Sequence, residues 1–175
     1  SDAMIALDLD TGRPAWVFQA MKADVWNMAC NDRDLEKSGP NCPNLYSEPV
    51  GRDFDFGATP MLLTANGRDI VVNGQKSGHV WALDAASGKL IWQDRIGEGT
   101  TLGGVHWGVT TDGALAFVPI ADSLFTEQEQ ARNKAGVYAY RLTDGRQVWA
   151  HRASADCGGG RAAKLVRCAT KFGFS

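Results

Sequence analysis

Three near-copies of one eleven-residue unit constrain this chain more than any other feature. "ALDLDTGRPAW" runs from Ala6 to Trp16, "ALDAASGKLIW" from Ala82 to Trp92, and "AYRLTDGRQVW" from Ala139 to Trp149. In each, alanine opens, glycine stands six places on, an arginine or lysine follows it, and tryptophan closes the unit. Half of the chain's 6 tryptophans occupy this slot. A short apolar run, a turn ending in glycine and a second apolar run read as a β-hairpin, the glycine supplying positive φ. A lone tryptophan reads as an ordinary core aromatic. Three at one repeat position read as residues that dock one unit onto the next in a repeat architecture.

Trp16 and Trp92 stand 76 residues apart, and Trp92 and Trp149 stand 57 apart. Both intervals exceed the ~40 to 50 residues of a simple propeller blade, so insertions are expected. Between the first and second units, "TPMLL", "DIVVNG", "HVWALD" and "KLIWQDR" read as four antiparallel strands. After the second, "GGVHWGVT", "ALAFVPIA", "GVYAYRL" and "RQVWAHR" read as four more, and "FGFS" as the opening of another blade. The expected fold is all-β: a partial β-propeller of about two and a half four-stranded blades, residues 1–175 forming part of a single propeller domain.

Blade topology sorts the loops onto two faces. Short turns such as "ANGRD", "DTG", "AASG" and "TDG" fall on one face. On the other fall insertions at about 20–57, 121–135 and 153–171, with the small turn from Gln75 to Ser77. Long elaboration confined to one face of a rigid scaffold marks where binding is built. The cysteines lie in these insertions. Cys30 and Cys42 bracket one polar stretch, Cys157 and Cys168 bracket a glycine-rich one, and neither pair has zinc-site spacing. They read as two local disulfides, which implies an oxidising compartment, with four free buried thiols as the alternative.

Charge removes one class of partner. The 18 basic and 20 acidic side chains leave a net charge of −2 with no basic block, so no nucleic-acid partner is expected. No apolar run approaches the roughly 18 residues that span a membrane. Ser1 opens directly into the apolar "AMIALDL" with no signal peptide, which leaves open a mature or truncated exported protein.

The repeated unit resembles the tryptophan-docking motif of the eight-bladed quinoprotein alcohol dehydrogenases. "ADVWNMAC", "DFDFGATPML", "NGQKSGHVWALD" and "LGGVHWGV" resemble the branch that contains polyvinyl-alcohol dehydrogenase. The third unit departs, with Arg141 where the others have Asp8 and Asp84, so its turn lacks one carboxylate. The resemblance implies pyrroloquinoline quinone and a calcium ion in a central funnel, an aspartate as base, and hydride transfer from a secondary or polymeric alcohol to the quinone. Electrons then pass to a cytochrome c, and the compartment is the periplasm.

Carried over residue by residue, the basic side chain that bonds the reactive quinone oxygen falls on Lys76, whose other reading is a solvated turn lysine. The turn from Gln75 to Ser77 lies on the elaborated face, where an ammonium stabilises developing negative charge. In "GGVHWG", Gly103 and Gly104 permit close backbone approach. The resemblance gives His106 a polar contact to the cofactor beside Trp107; their other readings are a satisfied core histidine and plain blade packing. Asp24, Trp26, Asp53 and Asp55 occupy the first insertion and could face the funnel, though loop aspartates are usually turn residues.

The resemblance places the catalytic aspartate and the calcium ligands upstream of Ser1, so the chain is expected to be a fragment, inactive alone. A non-catalytic propeller used in outer-membrane protein assembly, a protein-binding scaffold, is the alternative. A hydrolytic propeller has neither a nucleophile elbow nor a paired-carboxylate motif to support it.

Overall fold

The computed structural model describes residues 2–21, 26–31, 35–43, 53–100, 102–122, 132 and 134–153. Strands β1 (Ala3–Leu7) and β2 (Pro14–Gln19) form a two-stranded antiparallel sheet. Strands β3 (Met61–Ala65), β4 (Arg68–Gly74), β5 (His79–Asp84) and β6 (Leu90–Arg95) form a meander in sequence order. Strands β7 (Thr110–Thr111), β8 (Leu115–Ile120), β9 (Gly136–Arg141) and β10 (Gln147–Arg152) repeat that meander. The molecule is thus a partial β-propeller, the outer half of one blade followed by two four-stranded blades.

The three units fold alike down to the register. Ala6 faces Trp16, Ala82 faces Trp92 and Ala139 faces Trp149 across their hairpins, with a register shift beside each pair. A methyl opposite an indole leaves the large ring free to lean out of its own sheet, which explains the invariant spacing. Gly12, Gly88 and Gly145 take φ of 67°, 68° and 70°, the left-handed conformation that costs any other residue energy. Asp8 and Asp84 fasten the first two turns, accepting the backbone N–H of Thr11 and Ser87 at 2.8 Å. The third turn closes with the same backbone bonds, Gly145 N–H to the Arg141 carbonyl and Arg141 N–H to the Arg146 carbonyl, both at 2.9 Å. Asp144 supplies its carboxylate, accepting the Arg146 N–H at 3.0 Å and pairing with Arg141 at 2.8 Å.

The first two indoles rest on the unit that follows. Trp16 Nε1–H donates to the Ala85 carbonyl at 2.9 Å, and Trp92 Nε1–H donates to the Leu142 carbonyl at 2.8 Å. Their rings lie on the turn glycines, where a Cβ on Gly88 or Gly145 would stand 2.6 Å from ring carbon. Between the two complete blades the core gathers Ile70, Val72, Val80, Val118, Ile120 and Tyr140 around Trp92. Between the first hairpin and the second blade a smaller cluster joins Met4, Trp81 and Leu83.

One strand departs from expectation. "GGVHWGVT" does not run as an innermost strand: only Thr110 and Thr111 pair with β8, and Gly104 makes an isolated bridge to Ala121. Glycines at 103, 104 and 108 give the segment neither side chains to pack nor a reason to stay extended, and Gly104 and Gly108 have positive φ. The segment therefore bends across the end of the blades. Among the described residues no helix is long and apolar enough to cross a membrane.

Candidate functional site

Lys76 sits in the tight turn between β4 and β5, and it is buried, only 8% exposed. The Gly78 N–H donates to the Gln75 carbonyl at 3.0 Å to close the turn. Buried polar side chains back it. Ser77 Oγ–H donates to Gln75 Oε1 at 2.7 Å, Trp81 Nε1–H donates to the same oxygen at 3.2 Å, and His79 Nδ1 lies 2.8 Å from Ser77 Oγ. Glycines then let three backbone layers stack. A Cβ on Gly104 would stand 2.1 Å from the Lys76 carbonyl oxygen, and one on Gly99 would stand 2.2 Å from the same atom.

The first insertion returns across this turn. Lys76 N–H donates to the Asp55 carbonyl at 3.0 Å, bringing residues 53–57 alongside. Lys76 Nζ then lies 2.9 Å from Asp53 Oδ1 and 3.1 Å from Asp55 Oδ2. The two carboxylates differ in access: the Asp53 side chain is 11% exposed and that of Asp55 49%. Burial pushes the Asp53 carboxyl up to about 6, with Asp55 adding to the rise and Lys76 opposing it. Asp55 is held below its ordinary range by the hydrogen bond from Asp53 and by Lys76, against the opposing effect of burial. Burial pulls the Lys76 ammonium down, but its bonds to both carboxylates outweigh that and raise it. The arrangement holds a charged ammonium, an ionised half-exposed carboxylate and a buried carboxyl pushed up to about 6.

His106 closes the cluster. Its ring occupies the space that a Cβ on Gly57 would fill, 2.3 Å from Cδ2, so "FDFGA" requires glycine two residues after Asp55. Burial first and the Lys76 charge second push the imidazole below its ordinary value. Its Nδ1 is buried and has no hydrogen-bond partner among the described residues. Trp107 stacks on it with ring centroids 4.5 Å apart and planes at 8°, and the indole is 68% exposed.

The structure thus brings together all four residues singled out from the sequence, Lys76, Gly104, His106 and Trp107. It also brings in Asp53 and Asp55, which the sequence names with Asp24 and Trp26 as residues able to face the funnel, against the usual turn role of loop aspartates. Their Asp-Phe-Asp-Phe-Gly pattern was the available signal, but nothing local says that residues 21 and 23 positions before Lys76 fold onto it. Trp26 is partly buried, and Asp24 lies outside the described residues. Cys30 and Cys42 form a disulfide with Cα atoms 4.8 Å apart, whereas Cys157 and Cys168 lie outside the described residues. Among the described residues no group of three or more His, Cys, Asp and Glu side chains is arranged to hold a metal ion.

Comparison with known proteins agrees with the propeller fold. The PQQ_2 family model, described as outer membrane protein assembly factor BamB, matches residues 1–169. A polyvinylalcohol dehydrogenase from a Pseudomonas species is 40% identical over 152 residues, covering 86% of this chain and 22% of that protein. A second, from a Sphingopyxis species, is 34% identical over 151 residues, covering 85% of this chain and 22% of its own length. The chain therefore spans about a fifth of the curated relatives it matches. Among solved structures, a quinohemoprotein alcohol dehydrogenase from Pseudomonas putida superposes with a TM-score of 0.54 at 18% identity. That match covers 86% of this chain and 24% of the other, a likeness of fold. With the family model matched almost end to end, the chain belongs to the PQQ_2 family, and it is similar to the polyvinylalcohol dehydrogenases over about a fifth of their length.

Proposed function

We propose that this chain forms one flank of the active-site funnel of a pyrroloquinoline-quinone-dependent dehydrogenase acting on secondary alcohols, polymeric ones included. The observation that carries the reading is the ammonium of Lys76 held between Asp53 and Asp55 beside a buried, unpartnered His106 Nδ1. An ammonium has three N–H donors, and two are used here, leaving one to point at a ligand. The orphaned imidazole nitrogen and the exposed face of Trp107 suit a flat, acceptor-rich molecule, so the residues present fit the quinone.

When bound, pyrroloquinoline quinone supplies an electrophilic dicarbonyl that accepts hydride from an alcohol carbon. Lys76 stabilises negative charge growing on an oxygen within its reach, and its raised pKa keeps it protonated throughout the neutral range. Asp55, ionised and half-exposed, is the carboxylate of this chain placed to take the hydroxyl proton, in place of the upstream aspartate expected from the resemblance. Asp53 anchors Lys76 from the buried side. Neutral His106 offers a polar contact, and Trp107 gives the ring system an apolar face to lie on. A calcium ion beside the cofactor would draw its ligands from outside this chain. Cytochrome c as acceptor and the periplasm as compartment complete the proposal, the Cys30–Cys42 disulfide supporting an oxidising location.

The description of the matching family, an outer membrane protein assembly factor, raises the scaffold reading. A buried ion cluster is a costly way to stiffen a scaffold, because desolvation offsets much of the attraction, and this supports the enzyme. The test is Asp55→Asn in the longer enzyme. Quinone binding, read by its absorbance, should persist while turnover falls about 10²- to 10⁴-fold. Unchanged turnover would remove Asp55 from the base role.

A further inference from the structure

Asp122 is fully buried just beyond β8, in the following blade. Both carboxyl oxygens accept backbone N–H groups: Oδ1 from Gly99 at 3.1 Å and Oδ2 from Lys134 at 3.0 Å. A Cβ on Gly97 would stand 2.5 Å from Asp122 Oδ2, so the loop lies flat on the carboxyl group. The other face of that loop lies on the turn that carries Lys76. A Cβ on Gly78 would stand 2.5 Å from the Gly97 carbonyl oxygen, and Ile96 N–H donates to the Gly78 carbonyl at 2.9 Å. A Cβ on Gly99 would press on the Ser77 backbone, 2.4 Å from its carbonyl carbon, as well as on the Lys76 carbonyl oxygen. The neighbouring Ala121 pairs with Gly104, which presses on Lys76 from a second direction.

We propose that Asp122 is a positioning residue: its carboxyl group fixes the Gly97–Gly99 loop against the Lys76 turn and so holds the ammonium between Asp53 and Asp55. The placement of Lys76 is then shared between two blades. Its relevance to turnover rests on the function proposed above; its effect on Lys76 does not.

The test uses amine acylation of the chain at mildly alkaline pH, mapped by mass spectrometry, with exposed Lys89 as internal standard. In the parent, Lys76 should react at least about tenfold slower than Lys89, being buried and paired. Asp122→Asn keeps one acceptor oxygen but turns an NH₂ toward a backbone donor. It should raise the Lys76 rate several-fold with Lys89 and the circular dichroism unchanged. A folded Asp122→Asn protein in which Lys76 is protected as in the parent overturns the proposal. Asp122→Ala should expose Lys76 further, and if that variant does not fold, the asparagine variant decides. In the longer enzyme, Asp122→Asn should lower kcat without changing quinone affinity and add no further loss on a Lys76→Ala background. Faster labelling with unchanged kcat leaves the positioning role standing and overturns the catalytic reading of Lys76.

Discussion

Gly104 and Lys76 meet backbone to backbone, so closely that a Cβ on the glycine would lie 2.1 Å from the lysine carbonyl oxygen. Gly104 also has φ of 72°, so an alanine there is strained twice. The backbone conformation alone costs about 1 to 2 kcal/mol, and the collision adds to it because neither partner is a flexible side-chain tip. Gly104→Ala should therefore lower the melting temperature by several degrees and shift the Lys76 turn. A thermal melt matching the parent would show that the turn is not packed in this way.

The tryptophan contacts make a sharper comparison. Gly12, Gly88 and Gly145 share nearly the same φ, but Trp16 covers Gly88 and Trp92 covers Gly145, while a Cβ on Gly12 would meet nothing described within 4 Å. Alanine at Gly12 should cost only the backbone term of about 1 kcal/mol. Alanine at Gly88 or Gly145 should cost clearly more, since the indole must lift and its N–H bond to the neighbouring unit lengthen. Equal losses at all three positions, measured by denaturant unfolding, would mean that the indoles do not fasten the units.

This part of the fold was legible in the sequence because it is local and repeated. β5 falls on "HVWALD" residue for residue, since its short apolar run is bounded by a lysine-serine-glycine turn and an Asp-capped one. The cluster was half legible. Lys76, His106 and Trp107 sit in compact motifs, whereas the role of Asp53 and Asp55 depends on an insertion folding back over more than 20 residues, which no periodicity encodes. The glycine-rich segment from Gly103 misled as a strand because its work is to let backbones touch, and that leaves no pattern of side chains to read.

Burial changes what Lys76→Ala does to stability. Without the ammonium, two carboxyl groups remain side by side, one of them buried. Asp53 already has a folded pKa above its unfolded value of 3.8, so the folded state holds its proton more tightly. Its effect on stability is therefore most favourable at low pH and is lost as pH rises through about 6. Removing Lys76 raises that pKa further, so the variant should lose most stability relative to the parent above neutrality and recover as pH falls to about 5. Thermal melts at both pH values check this. A loss independent of pH would show that Asp53 does not sense Lys76.

The disulfide between Cys30 and Cys42 closes a loop of about a dozen residues and, in the chain-entropy model, stabilises by roughly 3 kcal/mol. Mass mapping of the unreduced protein should show that linked peptide, and reduction should lower the unfolding midpoint. A Cys30 thiol that alkylates freely without reductant would contradict the pairing.

Lys76 itself tests the account most directly, through steady-state alcohol oxidation by the proposed quinone-dependent enzyme with quinone and calcium saturating. The account predicts that Lys76→Ala lowers kcat about 10²- to 10³-fold, the loss seen when one charge-stabilising donor is removed. Lys76→Arg, which keeps the charge but replaces a compact ammonium with a planar fork, should recover only part of that rate. An alanine variant that is folded, binds the quinone and turns over within about twofold of the parent, a difference of under 0.5 kcal/mol, would contradict it.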